Sequence, residues 1–354
     1  MAAVNVLTVN PGSGSLRVHL VRTEDYEVLD SASTDDVASF VDKQSSISVV
    51  AHRLVHGGPD LVQPAEATAS VRAKIADARS LAPEHVPKTE ALLDQLTELL
   101  PDAKHVVCPD TAFHQTLPSV ARTYPLPGRW RSRWDLRRYG FHGWSFSWAT
   151  RRAAELLHQP PRELNLLIAH LSGGCSVCAV SHGRSVDTSM GFTPLEGAMM
   201  TKRSGSVDPG MLLWLLREGK LTVEELEDGL YHHSGLLGLS GISDDTRDLV
   251  RDGSVEARFA LAVFEHRVRR ELAAAAASLD RIDALVFTGD IGWDQPETAE
   301  AVAGGLGALG IAGGLSRTRD HDAVISPPGA KVPVLTLRSR EELELARAAA
   351  EAVR

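Results

Sequence analysis

Two short stretches, Asn10-Pro-Gly-Ser-Gly-Ser15 and His170-Leu-Ser-Gly-Gly-Cys-Ser176, each lie between two apolar runs of strand type. Residues 4–9 and 16–21 flank the first; residues 164–169 and 177–181 flank the second. Turns rich in Gly and Ser present backbone N–H groups and hydroxyls, the equipment for gripping phosphate oxygens. Their recurrence suggests two related halves acting on one polyphosphate, and so phosphoryl transfer. Further Gly-punctuated polar segments are Arg53-Leu-Val-His-Gly-Gly58, Asp110-Thr-Ala-Phe-His114 and Arg137-Arg-Tyr-Gly-Phe-His-Gly143. Met190-Gly-Phe-Thr-Pro-Leu-Glu-Gly197 and Lys202-Arg-Ser-Gly-Ser-Val-Asp-Pro209 complete the set. Singly, each has a structural explanation: Arg53 as a helix cap, His114 or His142 in the core, Asp110 as an N-cap. Together they offer arginines for a carboxylate and a phosphoryl group, an aspartate for metal or proton work, and hydroxyl-rich turns. In-line transfer to a carboxylate needs that combination, because its catalysis is mostly positioning and charge neutralisation.

Rigid elements must hold these residues, and the hydrophobic pattern supplies a mixed set. Beyond the two hairpins, residues 48–55 and 105–108 read as strands. A helix over 88–100 carries Leu92, Leu93, Leu96, Leu99 and Leu100 at helical spacing. Further helices are expected over 148–157, 210–218, 222–230 and 256–279. Residues 284–287 form a buried-strand pattern running into Thr288-Gly-Asp-Ile-Gly292. A short strand near 332–337 precedes a terminal helix over 341–353. Mixed strands and helices in two halves predict the α/β class. No low-complexity linker separates the halves, so a hinge is expected near 110–114.

A chain of 354 residues has room for two domains with their own cores. A formal charge of −9 argues against a nucleic-acid partner, which would leave clustered basic residues. The run Arg129-Trp-Arg-Ser-Arg133 is too short to change that and reads as a solvated face. No apolar run approaches the ~18–20 residues of a membrane span. Met1-Ala-Ala-Val enters a strand pattern without a charged leader, and Cys108, Cys175 and Cys178 make no disulfide framework. A cytoplasmic enzyme is the expectation. Two motifs are decoys. Gly305-Leu-Gly307-Ala-Leu-Gly310 matches a dinucleotide fingerprint but follows a helical pattern, so it reads as a helix end. Cys175-Ser-Val-Cys178 has zinc-knuckle spacing, yet residues three apart in a strand point to opposite faces.

Taken in order, the segments resemble the acetate/propionate kinase family of the actin-like ATPase superfamily. The family pattern N-x-G-S-S-S-x-K is similar to Asn10-Pro-Gly-Ser-Gly-Ser-Leu-Arg17, and R-V-V-H-G-G to Arg53–Gly58. L-A-P-L-H-N-P corresponds to Leu81-Ala-Pro-Glu-His-Val-Pro87, and F-D-T-A-F-H to Pro109–His114. R-R-Y-G-F-H-G stands intact at 137–143, D-T-S-M-G-F-T-P-L-E-G at 187–197 and R-S-G-x-x-D-P at 203–209. S-G-L-L-G-x-S-G-I-S is matched at 234–243, and the late N-E-E-L as Arg340-Glu-Glu-Leu343. The resemblance implies a duplicated, ribonuclease H-like fold with two domains around a cleft. Residues 1–112 with 342–354 would form the acceptor side, and 113–341 the nucleotide side. It also implies a homodimer, Mg²⁺ or Mn²⁺, ATP as donor and a small carboxylic acid as acceptor.

Carried over by position, Arg53 would hold the substrate carboxylate, with Val55, His85, Phe141 and Pro194 around the acyl tail. Asn10 and Glu341 would place the metal. Asp110, His142 and Arg203 would be catalytic, the last two neutralising charge on the phosphoryl group in flight. Ser13, Ser15 and Arg17 would contact phosphates, and His170, Leu171, Ser172, Gly173 and Gly174 would cradle them. Asp245, Thr246 and Arg247 would meet the nucleoside, beside Asp290, Ile291, Gly292, Trp293 and Asp294.

Departures from the family fall on two surfaces. On the donor side, G-I-G-E-N is Asp290-Ile-Gly-Trp-Asp294, and H-L-G-N-G is His170-Leu-Ser-Gly-Gly174. Asp290 adds a like charge near the phosphates, and Trp293 is large enough to stack on a base or fill its cavity. An altered donor, another nucleotide or pyrophosphate, is the expectation drawn from them. On the acceptor side, Glu84 replaces an apolar residue and is expected to turn to solvent, since burying it unpaired is costly. Trp144 and Phe146 suggest a repacked wall.

Overall fold

The structure, a computed structural model, describes residues 4–12 and 16–354. It divides into two compact units. The first comprises Met1–Gln115, Phe141–Trp148 and Arg340–Arg354; the second, Thr116–Gly140 and Ala149–Ser339.

In the first unit, β1 (Asn5–Pro11), β2 (Leu16–Arg22) and β3 (Glu27–Ser33) form an antiparallel meander. β4 (Ile47–Leu54) runs parallel to β1, and β6 (Lys104–Pro109) runs parallel to β4, with short β5 (Ala65–Glu66) antiparallel at the edge. The sheet order is β3-β2-β1-β4-β6-β5. Period-2 alternation sorts its side chains onto two faces. Val6, Val21, Val49, Ala51 and Val106 pack against Leu345, Ala346, Ala349 and Ala350 of the helix Glu341–Ala352. Leu7, Val9, Val18 and Val50 pack on the opposite side with Phe40 and Leu96. Each side chain buried in this way contributes about 1.5–3 kcal/mol for the larger aliphatics.

The second unit repeats the plan. β7 (Asn165–Leu171), β8 (Cys175–Ser181) and β9 (Arg184–Thr188) form the antiparallel meander. β10 (Ala284–Thr288) is parallel to β7, β12 (Val334–Thr336) is parallel to β10, and β11 (Ala323–Val324) is antiparallel to β12. The order β11-β12-β10-β7-β8-β9 reproduces the first sheet strand for strand. Every residue of β7 is buried, as a central strand requires. The helix Val255–Ala276 covers the sheet with Ala257, Ala260, Phe264, Val268, Leu272 and Ala275, one stripe at helical spacing.

Both hairpins and the central parallel strands lie where the sequence pattern predicts them. One helix differs: Gly143–Leu156 starts five residues before the expected position 148. His142 holds a left-handed backbone, φ 57°, and its carbonyl accepts the first helical bond from Phe146 N–H at 3.0 Å. A non-glycine residue in that conformation is not a start signal the sequence displays. The Gly305–Gly310 motif follows the helix Pro296–Gly304 and continues into a 3₁₀ turn, Gly307–Leu309. Among the described residues no helix is long and apolar enough to cross a membrane.

Candidate active site

The parallel strands β1, β4 and β6 present their carboxyl ends at one edge, where ligands of open α/β sheets bind. Arg53 stands at the end of β4 and Asp110 directly after β6. Their side chains form a two-pronged ion pair, Nε to Oδ1 at 2.8 Å and Nη2 to Oδ2 at 2.5 Å. Arg53 Nη1 also donates to Asn10 Oδ1 at 2.9 Å, and the Asn10 amide donates to Glu341 Oε2 at 3.0 Å. Four residues from four separate segments thus form one chain of contacts. Burial works against the Arg53 cation, but the charges of Asp110 and Glu341 more than offset it and hold the guanidinium more basic than usual. Burial pushes the Asp110 carboxyl up, while Arg53 and the His142 backbone N–H pull it back.

The surrounding residues brace Asp110. A Cβ at Gly143 would stand 2.0 Å from the Asp110 carbonyl oxygen, so only glycine permits this approach. Phe141 is buried; its carbonyl lies 2.9 Å from His114 Nε2 and its ring meets His56 edge-on. Val55 is buried just beyond β4, and His85 stands at the N-cap position of the helix Val86–Leu99. Arg17 is exposed on β2, opposite Asn10 in register. Ser13 and Ser15 lie outside the described residues. Glu84 is exposed, as expected. Trp144 and Phe146 serve the core: Trp144 Nε1 donates to the Cys108 carbonyl at 3.2 Å, and Phe146 stacks on Phe113.

In the second unit a cavity of about 220 Å³ is lined by Ser172, Gly173, Asp245, Thr246, Arg247, Asp290, Ile291 and Asp294. These eight are all nucleotide-side candidates from the sequence. Thr201, Asp244 and Gln295 complete the lining and had not been singled out. Thr201 and Gln295 each adjoin a flagged segment, and Asp244 adjoins Asp245, so adjacency was the only signal. Ser172 Oγ donates to Asp290 Oδ2 at 3.0 Å, while Arg247 pairs with Asp245 at 2.6 Å. His170 and Leu171 are buried at the end of β7, and Gly174 follows in the turn, its carbonyl accepting from Ser172 N–H at 3.2 Å. Gly292 and Trp293 do not line this cavity. Trp293 lies instead under the Arg338 guanidinium, 4.8 Å from the ring centre.

Arg203 also belongs to the second unit, and its Nη1 donates to the Pro194 carbonyl at 3.4 Å. Cys175 and Cys178 are buried on β8, Cys175 against the Ser172 carbonyl and Cys178 against Ser185 Oγ. Burial pushes both thiols up to about 12. For a magnesium ion, the oxygens of Asn10 and Glu341 are suitable hard donors, since Mg²⁺ commonly takes one or two protein oxygens and completes its shell with phosphates and water.

Comparison with known proteins gives the family. The sequence signature of the Acetokinase family matches residues 32–347. Acetate kinase of Synechococcus sp. is 44% identical over 315 residues, 88% of this chain and 78% of that protein. Acetate kinase of Deinococcus radiodurans is 42% identical over 311 residues, 86% and 78% of the two. Among solved structures, Porphyromonas gingivalis acetate kinase superposes with a TM-score of 0.89 at 30% identity, covering 99% of this chain and 100% of that one. A propionate kinase from Francisella tularensis gives 0.90 at 28% identity, covering 98% and 99%. The fold is the duplicated actin-like ATPase fold, and the class is that of kinases with a carboxyl acceptor. The chain belongs to the acetokinase family.

Proposed function

We propose that the protein transfers the terminal phosphoryl group of a nucleotide, ATP by default, to a short-chain carboxylate such as acetate or propionate. The product is an acyl phosphate, and the reaction is reversible. The observation that carries this reading is the state of the Arg53 guanidinium. Three of its five N–H groups are engaged by Asp110 and Asn10, and one on each terminal nitrogen remains among the described residues. Those two can take a second carboxylate in the planar, two-pronged manner that suits arginine. Val55 and Phe141 flank the acyl tail, with His85 beside them.

A carboxylate oxygen attacks the terminal phosphorus while the bond to the bridging oxygen breaks, and the nucleoside diphosphate leaves. The nucleophile carries no proton, so the step needs no base. Asp110 therefore acts by orienting Arg53. His142 and Arg203 neutralise the charge on the transferring group. Asn10 and Glu341 hold Mg²⁺ (or Mn²⁺), which supplies further neutralisation when bound. Arg17 and the turn His170–Gly174 hold the donor phosphates, and the cavity at Asp245–Arg247 takes the nucleoside.

The same cavity favours a second reading of the donor. Asp290 sits on Ser172 within the phosphate turn, and Asp244, Asp245 and Asp294 share the lining. Lys202 pairs with Asp244, and Arg247 with Asp245 and Asp294, so it is Asp290, within the phosphate turn, that supports a donor preference different from ordinary ATP use. Homodimerisation is supported by the helix Pro209–Arg217, none of whose residues is buried and whose Met211, Leu213 and Trp214 are exposed. The test is hydroxylamine trapping of acyl phosphate across C2–C5 acids with ATP, GTP or pyrophosphate as donor. Hydroxamate with a short acid supports the reading; none with any combination overturns it. Tight, ordinary use of ATP removes the second reading.

A further inference from the structure

We infer that Tyr124, Arg138 and Glu196 are positioning residues for phosphoryl transfer, forming a clamp that fixes the loop from which Arg203 is held. This inference rests on the role of Arg203 proposed above. The loop of residues 190–197 contains Pro194, whose carbonyl accepts from Arg203. Across the base of the loop, Arg138 Nη2 donates to Glu196 Oε1 at 2.9 Å and its Nη1 to the Ser189 carbonyl at 2.9 Å. Tyr124 closes the ring from the other side. Its hydroxyl donates to Glu196 Oε2 and accepts from Phe192 N–H at 2.9 Å. The Arg138 guanidinium lies over the Tyr124 ring, 5.5 Å from its centre.

Ser189, just before the loop, and Glu196, near its end, are therefore tied to one guanidinium, and its middle to one phenol. Burial pushes the Tyr124 hydroxyl above its ordinary range, so it remains a proton donor at any working pH. Gly191 lets the clamp close, since a Cβ there would stand 1.6 Å from Glu196 Oε2 and 2.0 Å from Tyr124 Oη. A second tie joins Gly197 to Ser206, N–H to Oγ at 2.9 Å and Ser206 N–H to the Gly197 carbonyl at 2.9 Å. Arg203 lies within the segment that this tie closes. Loosening the clamp moves the Pro194 carbonyl and with it the guanidinium. A displacement of about 1 Å at such a group costs up to ~10²-fold in rate.

The test is a double-mutant cycle on the full-length enzyme, with Y124F and E196Q each made in the wild-type and R203A backgrounds. Circular dichroism gives the folded fraction that normalises every rate. Y124F retains the ring beneath Arg138, and E196Q retains the shape of the carboxylate, so the two variants perturb the clamp differently. The expected result is a fall in kcat of about 10- to 100-fold in each single variant, with the KM for the acid little changed. In the R203A background neither substitution lowers kcat further. Unchanged kcat in both single variants, or equal losses in both backgrounds, overturns the clamp. Full activity of R203A alone overturns instead the role assigned to Arg203.

Discussion

Arg53 and Asp110 meet side-on through two hydrogen bonds of 2.8 and 2.5 Å, with Asp110 only 1% exposed. An ion pair so enclosed ties the acceptor site to the stability of the first sheet. Replacing Arg53 with Ala is predicted to lower kcat/KM for the acid by about 10²–10³. It also leaves a buried carboxylate unpaired, at a cost of about 3–5 kcal/mol in stability. Steady-state kinetics and urea melts check both parts. Arg53→Lys separates them: it keeps a charge beside Asp110 but loses the planar fork, so stability recovers more than activity.

Gly143→Ala is predicted to displace Asp110. The new Cβ would lie 2.0 Å from its carbonyl oxygen and 2.8 Å from Phe113 Cβ, so backbone must move. A loss of about 1–3 kcal/mol is expected, together with a fall in kcat/KM for the acid. Gly128→Ala is the control, since the nearest atom to its Cβ is Arg131 Nη2 at 3.9 Å. Equal behaviour of the two variants in melts and kinetics would count against the bracing of Asp110.

How much of this was legible in the sequence depends on the range of the interaction. The central strands announce themselves because β1, β4, β6, β7 and β10 are apolar runs. The edge strands β3 and β5 do not: β3 carries Glu27 and Asp30 and is mostly exposed, and β5 is two residues long. The residue types at Arg53 and Asp110 suggested their chemistry, and the family resemblance marked Asn10 and Glu341, but their mutual hydrogen bonds join positions up to 331 residues apart. Trp293 shows the limit most plainly. Its size suggested a platform for a base, and only the folded chain brings Arg338 over it. The clamp at Glu196 was equally silent, because Tyr124 and Arg138 meet it from distant positions.

A buried histidine pair predicts acid sensitivity. His52 Nε2 lies 3.0 Å from His105 Nδ1, whose other nitrogen is 3.1 Å from the Leu100 carbonyl. Burial, with His105 and Arg72 nearby, pushes His52 down to about 3; burial also lowers His105. Below the ordinary value of 6.5 the unfolded chain takes up protons that the folded chain refuses. Stability is therefore full above that pH and falls as pH drops towards 3, by about 1.4 kcal/mol per unit for His52. Urea melts between pH 7.5 and 5 should show a shallower slope for His52→Gln than for wild type. Identical slopes would exclude this pair as the source.

The exposed apolar helix Pro209–Arg217 predicts an interface between two copies. Leu213 is 65% and Trp214 47% exposed, side chains that a lone surface rarely presents together. Sedimentation velocity should find a dimer for wild type and a monomer for Leu213→Asp. A wild-type monomer at micromolar concentration would contradict the expectation.

The most direct measurement of the central claim is single-turnover transfer from γ-³²P-labelled ATP in the presence of acetate or propionate, with hydroxylamine added to the quenched products. Wild type should place label in a hydroxylamine-sensitive acyl phosphate, and Arg53→Ala should lose that product while still binding nucleotide. Label already present as inorganic phosphate before hydroxylamine is added, with none released by it, or an undiminished yield from Arg53→Ala, would contradict the account.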